Sequence, residues 1–134
     1  MIFILLLEFI EILVALFFHA LRHDPSRPYW PQRDRFVLSG RDAAPALLWV
    51  LAEVGYSNEC DLLGCPDGPL NRNIPDPVMG ANLPGLGFST AVGIAKGAKI
   101  LGKRFHTYIL LDDRDYQRGI IWEMALFSSR HYLD

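Results

Sequence analysis

Apolar and polar positions divide the chain into alternating helix-like and strand-like segments. Residues 9–23 carry helical spacing and predict a helix. The stretch "HDPSRPYWPQRDR" that overlaps its end holds Pro25, Pro28 and Pro31 and predicts an ordered loop. "FVLS", 36–39, is a short apolar run ending at Gly40 and predicts a buried strand. "AAPALLWVLAEVGY" predicts a helix with Pro45 in its first turn and Gly55 as its C-cap. Residues 57–88, with Pro66, Pro69, Pro75, Pro77 and Pro84, predict a long loop. "STAVGIAKGAKILGK", 89–103, is a helix built on small residues, suited to close packing on a sheet. "FHTYILL", 105–111, predicts a second buried strand. "DYQRGIIWEMALFSSRHYL" predicts a last helix in which Gly119 costs about 1 kcal/mol. Strand and helix alternate, so the fold class is α/β with a parallel sheet. Two strands are too few for a finished sheet, which makes the segment read as part of something larger.

Composition narrows the class. The chain has 134 residues, 51% hydrophobic and 21% charged, which predicts a globular domain. The net charge of -2 gives no electrostatic reason to expect nucleic acid. The run "MIFILLLEFIEILVALFFHA" is as long and apolar as a membrane span. Glu8 and Glu11 share one face of such a helix and would be costly in lipid. A buried amphipathic helix is therefore favoured over a membrane helix or a secretory signal, whose early basic residue and cleavage site are not evident. Cys60 and Cys65 are spaced C-x4-C without a second pair to complete a zinc site. They read as free thiols in a cytosolic loop, with a disulfide as the alternative. A cytoplasmic location is expected.

The candidate chemistry lies in "YILLDDRDYQRGIIWE", 108–123, where an apolar run stops at Asp112-Asp113-Arg114-Asp115. Ligands of open α/β sheets sit just past the carboxyl ends of strands. Asp113 reads either as a metal ligand or as part of a solvated turn. For Asp112, Arg114 and Asp115 the simplest reading is surface ion pairing. Gly85 and Gly87 are a phosphate-loop signal or a turn requirement. His19, His23, His106 and His131 read as structural, with His131 near a helix end where it can favourably meet the dipole. Trp30, Trp49 and Trp122 read as core or interface anchors.

Four segments, "EILVALFFHALRHDPSRPYWPQRDRFVLS", "AAPALLWVLAEVGY", "STAVGIAKGAKILGK" and "YILLDDRDYQRGIIWEMALFSSRHYLD", together resemble the amino-terminal, diphosphate-binding domain of transketolases over roughly residues 11–134. The proline, tryptophan and charge positions of "HDPSRPYWPQRDRFVLS" are the most specific part. The resemblance implies a thiamine-diphosphate-binding fold, a partial three-layer parallel sheet with flanking helices. It implies thiamine diphosphate and magnesium or calcium as cofactors. The implied activity is transfer of a two-carbon ketol unit between sugar phosphates. It makes residues 1–134 a single, incomplete domain, with a divergent apolar start at 1–10 and the long loop at 57–88.

In that family the strand matching Tyr108–Leu111 runs into Gly-Asp-Gly-Glu. Asp113 falls on the metal-binding aspartate, and Gln117, Gly119, Trp122 and Glu123 match without a gap. Asp112 and Arg114 replace the glycines, and a left-handed backbone there would suit neither. Arg114 is a candidate phosphate partner, and Asp115 keeps the glutamate's charge with a shorter reach. The cofactor-binding candidates are thus Asp113, Arg114, Asp115, Gly85 and Gly87, with Asp113 alone on the metal. No catalytic residue is assigned. Asp42, Ile74 and Leu86 stand where the family has polar cofactor and substrate contacts, so unaided catalysis is not expected. The implied partner is a second copy or a carboxyl-terminal transketolase-like chain. The alternative reading is a non-catalytic binding or assembly module, or a degenerate remnant.

Overall fold

The computed structural model describes residues 2–40, 42–56, 78–80 and 85–133. Two compact units emerge, one formed by residues 1–33 and 42–76, the other by 34–41 and 77–134. Cys60, Cys65, Ile74 and most of the 57–88 segment lie outside the described residues.

In the first unit, α1 (Ile2–Ala15) runs into a π-helical turn, Leu16–Ala20. The wider turn closes with Leu21 N–H donating to Leu16 O at 2.8 Å. The helix therefore starts earlier than residue 9 and ends at Ala20 rather than 23. Leu13 and Phe17 are buried, Glu11 is exposed, and α1 packs on α2 (Ala44–Val54). Burial is one-sided, but the expected amphipathic helix is met only in part, since Ile12, Val14 and Phe18 are exposed alongside Glu11. No helix among the described residues is long and apolar enough to cross a membrane. Helix α2 buries Ala46, Leu47, Val50 and Leu51 at helical spacing. It carries Pro45 in its first turn and ends at Gly55, whose φ of 98° is the left-handed cap expected there. Trp49 on α2 is 54% exposed, so it is no core anchor in this unit.

The 24–33 loop is ordered by its own polar groups. Asp24 Oδ1 accepts from Ser26 N at 3.0 Å and Ser26 Oγ at 2.6 Å, and its Oδ2 accepts from Arg27 Nε at 2.7 Å. These donors hold the Asp24 carboxyl at a pKa of about 2. Arg27 stacks over Trp30, and Arg33 donates to Pro28 O at 2.6 Å. His23 bridges Phe17 O (2.6 Å) and the Tyr56 hydroxyl (3.0 Å), a structural role as expected. Donation to the carbonyl fixes Nε2–H, so Nδ1 accepts from Tyr56. Burial raises the Tyr56 pKa, with Arg33 opposing and Asp24 adding.

The second unit is built on a sheet. β1 (Arg35–Leu38) is central, with β2 (Val78–Gly80) on one side and β3 (Thr107–Leu110) on the other, all parallel. Register is Phe36 to Val78 and to Tyr108. β2 corrects the expectation of an uninterrupted 57–88 loop. Three residues amid prolines carry too little pattern to be read as a strand. Phe36, Val37 and Leu38 are all buried, as a parallel strand covered on both faces requires. Helix α3 (Leu86–Ile100) packs on β1 and β3 and against α4 (Gly119–Arg130). It begins three residues before the small-residue run and takes in 86–88 of the predicted loop.

The last helix is also shorter than 115–133. Asp115–Gln117 form a 3-10 turn, and Gly119 opens α4 rather than interrupting it, so the interior cost does not apply. Trp122 is 60% exposed and donates to Tyr116 O at 3.1 Å, so it too is outside the core of its unit. His131 caps α4, but its expected dipole role passes to a lysine. Lys99 donates to His131 O (2.7 Å) and Tyr132 O (2.9 Å). Loss of hydration, then the Lys96, Arg130 and Lys99 charges, lower the His131 pKa and favour the neutral ring that accepts from Lys96 Nζ at 3.1 Å.

Candidate functional site

All five candidate residues lie in the sheet unit, at the carboxyl ends of β1 and β3. The chain passes from β1 to β2 on one side and later to β3 on the other. The β1–β3 crevice is therefore the topological switch point where α/β ligands bind.

Asp115 brings the candidates together. Its side chain is 1% exposed. One oxygen accepts from Gly85 N at 2.8 Å and the other from Asp112 N at 3.1 Å. A buried carboxylate is stable only when its lone pairs are filled this way. It ties the first turn of α3 to the loop after β3 across thirty positions of sequence. The expectation of surface ion pairing is thus wrong for Asp115, which is an internal clamp.

The two glycines are required by space. Gly85 has φ 83°, and a Cβ there would lie 2.7 Å from Ile120 Cγ2. A Cβ on Gly87 would lie 2.9 Å from Cα, Cβ and Oγ of Ser39. Among the α3 glycines, the close approach is at Gly87, while the helix also buries Ala91, Val92 and Ala98. Added methyl groups at Gly93 and Gly97 would meet nothing within 4 Å.

Asp112 and Arg114 form the ion pair that the sequence suggested. Arg114 Nη2 and Nε reach Asp112 Oδ2 at 2.8 and 3.1 Å. Asp112 Oδ1 accepts from Arg114 N at 2.9 Å and Asp115 N at 3.0 Å. Neither residue has positive φ; the only non-glycine that does among the described residues is Tyr132. The left-handed backbone that would suit neither side chain is therefore not present at Asp112 or Arg114. Asp112 lies against Gly40, where a Cβ would come within 2.8 Å of Oδ2.

Asp113 is exposed and has no hydrogen bond or ion pair with another described residue. No group of three or more His, Cys, Asp or Glu among the described residues could hold a metal ion. Leu86 opens α3 and is 47% exposed, and Asp42 is exposed in the other unit.

Ser39 and Gly40 were missed. Ser39 is 4% exposed, its N–H donates to Leu110 O at 3.0 Å, and its buried Oγ has no partner among the described residues. The available signal was position alone: a hydroxyl and a glycine immediately beyond a buried parallel strand.

Comparison with known proteins bears on the family of the chain. The family described as "Transketolase, thiamine diphosphate binding domain" matches residues 5–134. Transketolase of Homo sapiens is 37% identical over 132 residues, covering 92% of this chain and 21% of the relative. Transketolase-like protein 2 of Homo sapiens is 34% identical over 131 residues, with the same two coverages. The 6-deoxy-6-sulfo-D-fructose transketolase subunit SqwG of Clostridium sp. (strain MSTE9) is 34% identical over 137 residues, covering 96% of this chain and 49% of the relative. The chain thus spans between about a fifth and a half of the length of these relatives. With nearly every residue inside the family match, the chain belongs to the transketolase thiamine-diphosphate-binding domain family.

Proposed function

We propose that this chain is the diphosphate-side segment of a transketolase-type assembly. It takes part in transfer of a two-carbon ketol unit between sugar phosphates together with further protein, as a second copy or a carboxyl-terminal transketolase-like chain. The observation that carries the reading is the Asp115 clamp. It joins the α3 glycine turn to the post-β3 loop at the switch point of the sheet. A completed three-layer sheet and a cytoplasmic location belong to the same reading.

Thiamine diphosphate, when bound, supplies the carbanion chemistry of ketol transfer. The residues present suit a limited hold on it. Magnesium is commonly anchored by one or two carboxylates, with phosphate oxygens and waters completing its shell. Asp113 offers one such carboxylate, exposed and unengaged among the described residues. Gly87 keeps the start of α3 against the strand end, where the buried Ser39 hydroxyl lacks a partner among the described residues. Gly85 permits the turn that precedes it, and Asp115 fixes that turn in place. Arg114 is a cation of the post-β3 loop, engaged by Asp112. Asp113, Arg114, Asp115, Gly85 and Gly87 are accordingly proposed as the cofactor side, with Asp113 on the metal. This set holds and positions; no residue in it is proposed to move a proton.

The test is a calorimetric titration of the purified chain with thiamine diphosphate in magnesium, repeated with Asp113→Ala. The reading expects binding in the wild type that disappears in the variant. Absence of binding in both leaves the family role as ancestry. It would favour the second reading, a non-catalytic binding or assembly module, for which the Asp112–Arg114 pair is the supporting observation.

A further inference from the structure

Four donors converge on one carboxylate at the mouth of the sheet. The Arg114 and Asp115 amides reach Asp112 Oδ1, and Nε and Nη2 of Arg114 reach Oδ2. Two backbone amides and a forked guanidinium are the groups that proteins use to hold a phosphate. Here they hold a side chain of the same chain. The carboxylate is pressed against Gly40 at the end of β1, so it lies within the β1–β3 crevice rather than out in solvent. Its side chain is 14% exposed. The residue before Gly40, Ser39, follows β1 and carries a buried hydroxyl with no partner among the described residues, packed against Gly87 at the start of α3.

We propose that the Asp112 carboxylate is a built-in occupant of the anion position in this crevice. It lowers the chain's affinity for phosphate-class anions by holding Arg114 and the two amides that would otherwise receive them. An incoming diphosphate must either displace Asp112 from Arg114 or bind beside its negative charge. Both routes weaken binding: the Asp112 carboxylate is 14% exposed and its charge faces the incoming anion at close range, while the Arg114 side chain that it holds is 60% exposed. The loop is held in its folded shape without a ligand, and Asp112 sets how tightly a ligand is taken. This inference rests on the reading of the loop as the diphosphate side.

The experiment is calorimetric titration with inorganic diphosphate in metal-free buffer, so that Asp113 and magnesium play no part. Asp112→Asn keeps a side-chain oxygen for the turn amides and removes the charge. It is expected to bind diphosphate about tenfold more tightly than the wild type. Adding Arg114→Ala to it returns the affinity to the wild-type level. Asp112→Ser, which also keeps an acceptor for the turn, replaces Asp112→Asn if circular dichroism shows that the latter does not fold. A folded variant no tighter than wild type overturns the proposal. So does tight binding that survives loss of Arg114. The two proposals fail separately. A gain in Asp112→Asn with no effect of Asp113→Ala on magnesium–thiamine diphosphate keeps the occupant and removes the metal assignment. The opposite pair of results removes the occupant and keeps the metal assignment.

Discussion

Two turns in this chain have nearly the same chemistry. In one, Asp24 accepts from the Ser26 amide and hydroxyl and from Arg27 Nε. In the other, Asp112 accepts from the Arg114 and Asp115 amides and from the Arg114 guanidinium. Each is an aspartate at the exit of an apolar element that folds the following residues around its own carboxylate and captures an arginine. The first lies in a proline-rich loop and orders it. The second ends a central-sheet crevice and lies against Gly40. Local sequence sets the turn in both cases. What the turn means for function is set by what the fold places across from it.

The largest expected effect separates clamp from turn. Asp115→Ala leaves two amides, of Gly85 and Asp112, without their acceptor in a buried place. It should destabilise the protein by roughly 3 kcal/mol in urea unfolding. A loss under about 1 kcal/mol would mean that Asp115 is not the link between α3 and the loop. Gly85→Ala comes next, at about 2 kcal/mol. It combines a left-handed backbone with a methyl group 2.7 Å from Ile120. In the other unit, Tyr56→Phe removes the donor to His23 and should cost about 1 kcal/mol by thermal melting.

The pH profile distinguishes the two units more gently. Asp24 has a folded pKa of about 2, below its ordinary 3.8. Its contribution is full above the ordinary value and fades as pH falls from 3.8 through about 2. Asp24→Asn should therefore flatten that part of the acid-unfolding curve. His131 is a base whose folded pKa lies below 6.5, so the unfolded chain binds more protons just under that value. Stability should fall as pH drops below 6.5, and His131→Gln should remove that dependence. A profile unchanged by either substitution would contradict the corresponding assignment.

The sequence carried the framework because the framework is periodic. Helix α2, its proline start and its glycine cap followed from apolar spacing and backbone preference alone, as did the two longer strands. β2 was hidden because Val78–Gly80 is too short for any period to register. The turn chemistry was half legible. Asp112 beside Arg114 suggested an ion pair, and the structure has one. Asp115 is written in the same charged run, yet it is buried because Gly85, thirty positions earlier, turns its amide toward it. No local pattern encodes such a partner. Ser39 carries no local signal for the same reason: its hydroxyl, without a partner among the described residues, becomes notable only when Gly87 is laid against it.

The most direct measurement compares neighbouring carboxylates in one titration, thiamine diphosphate in magnesium against wild type, Asp112→Asn and Asp113→Ala. The account predicts opposite signs: binding tightens when the charge of Asp112 is removed and disappears when that of Asp113 is. Equal effects of the two substitutions, or none from either, would contradict it.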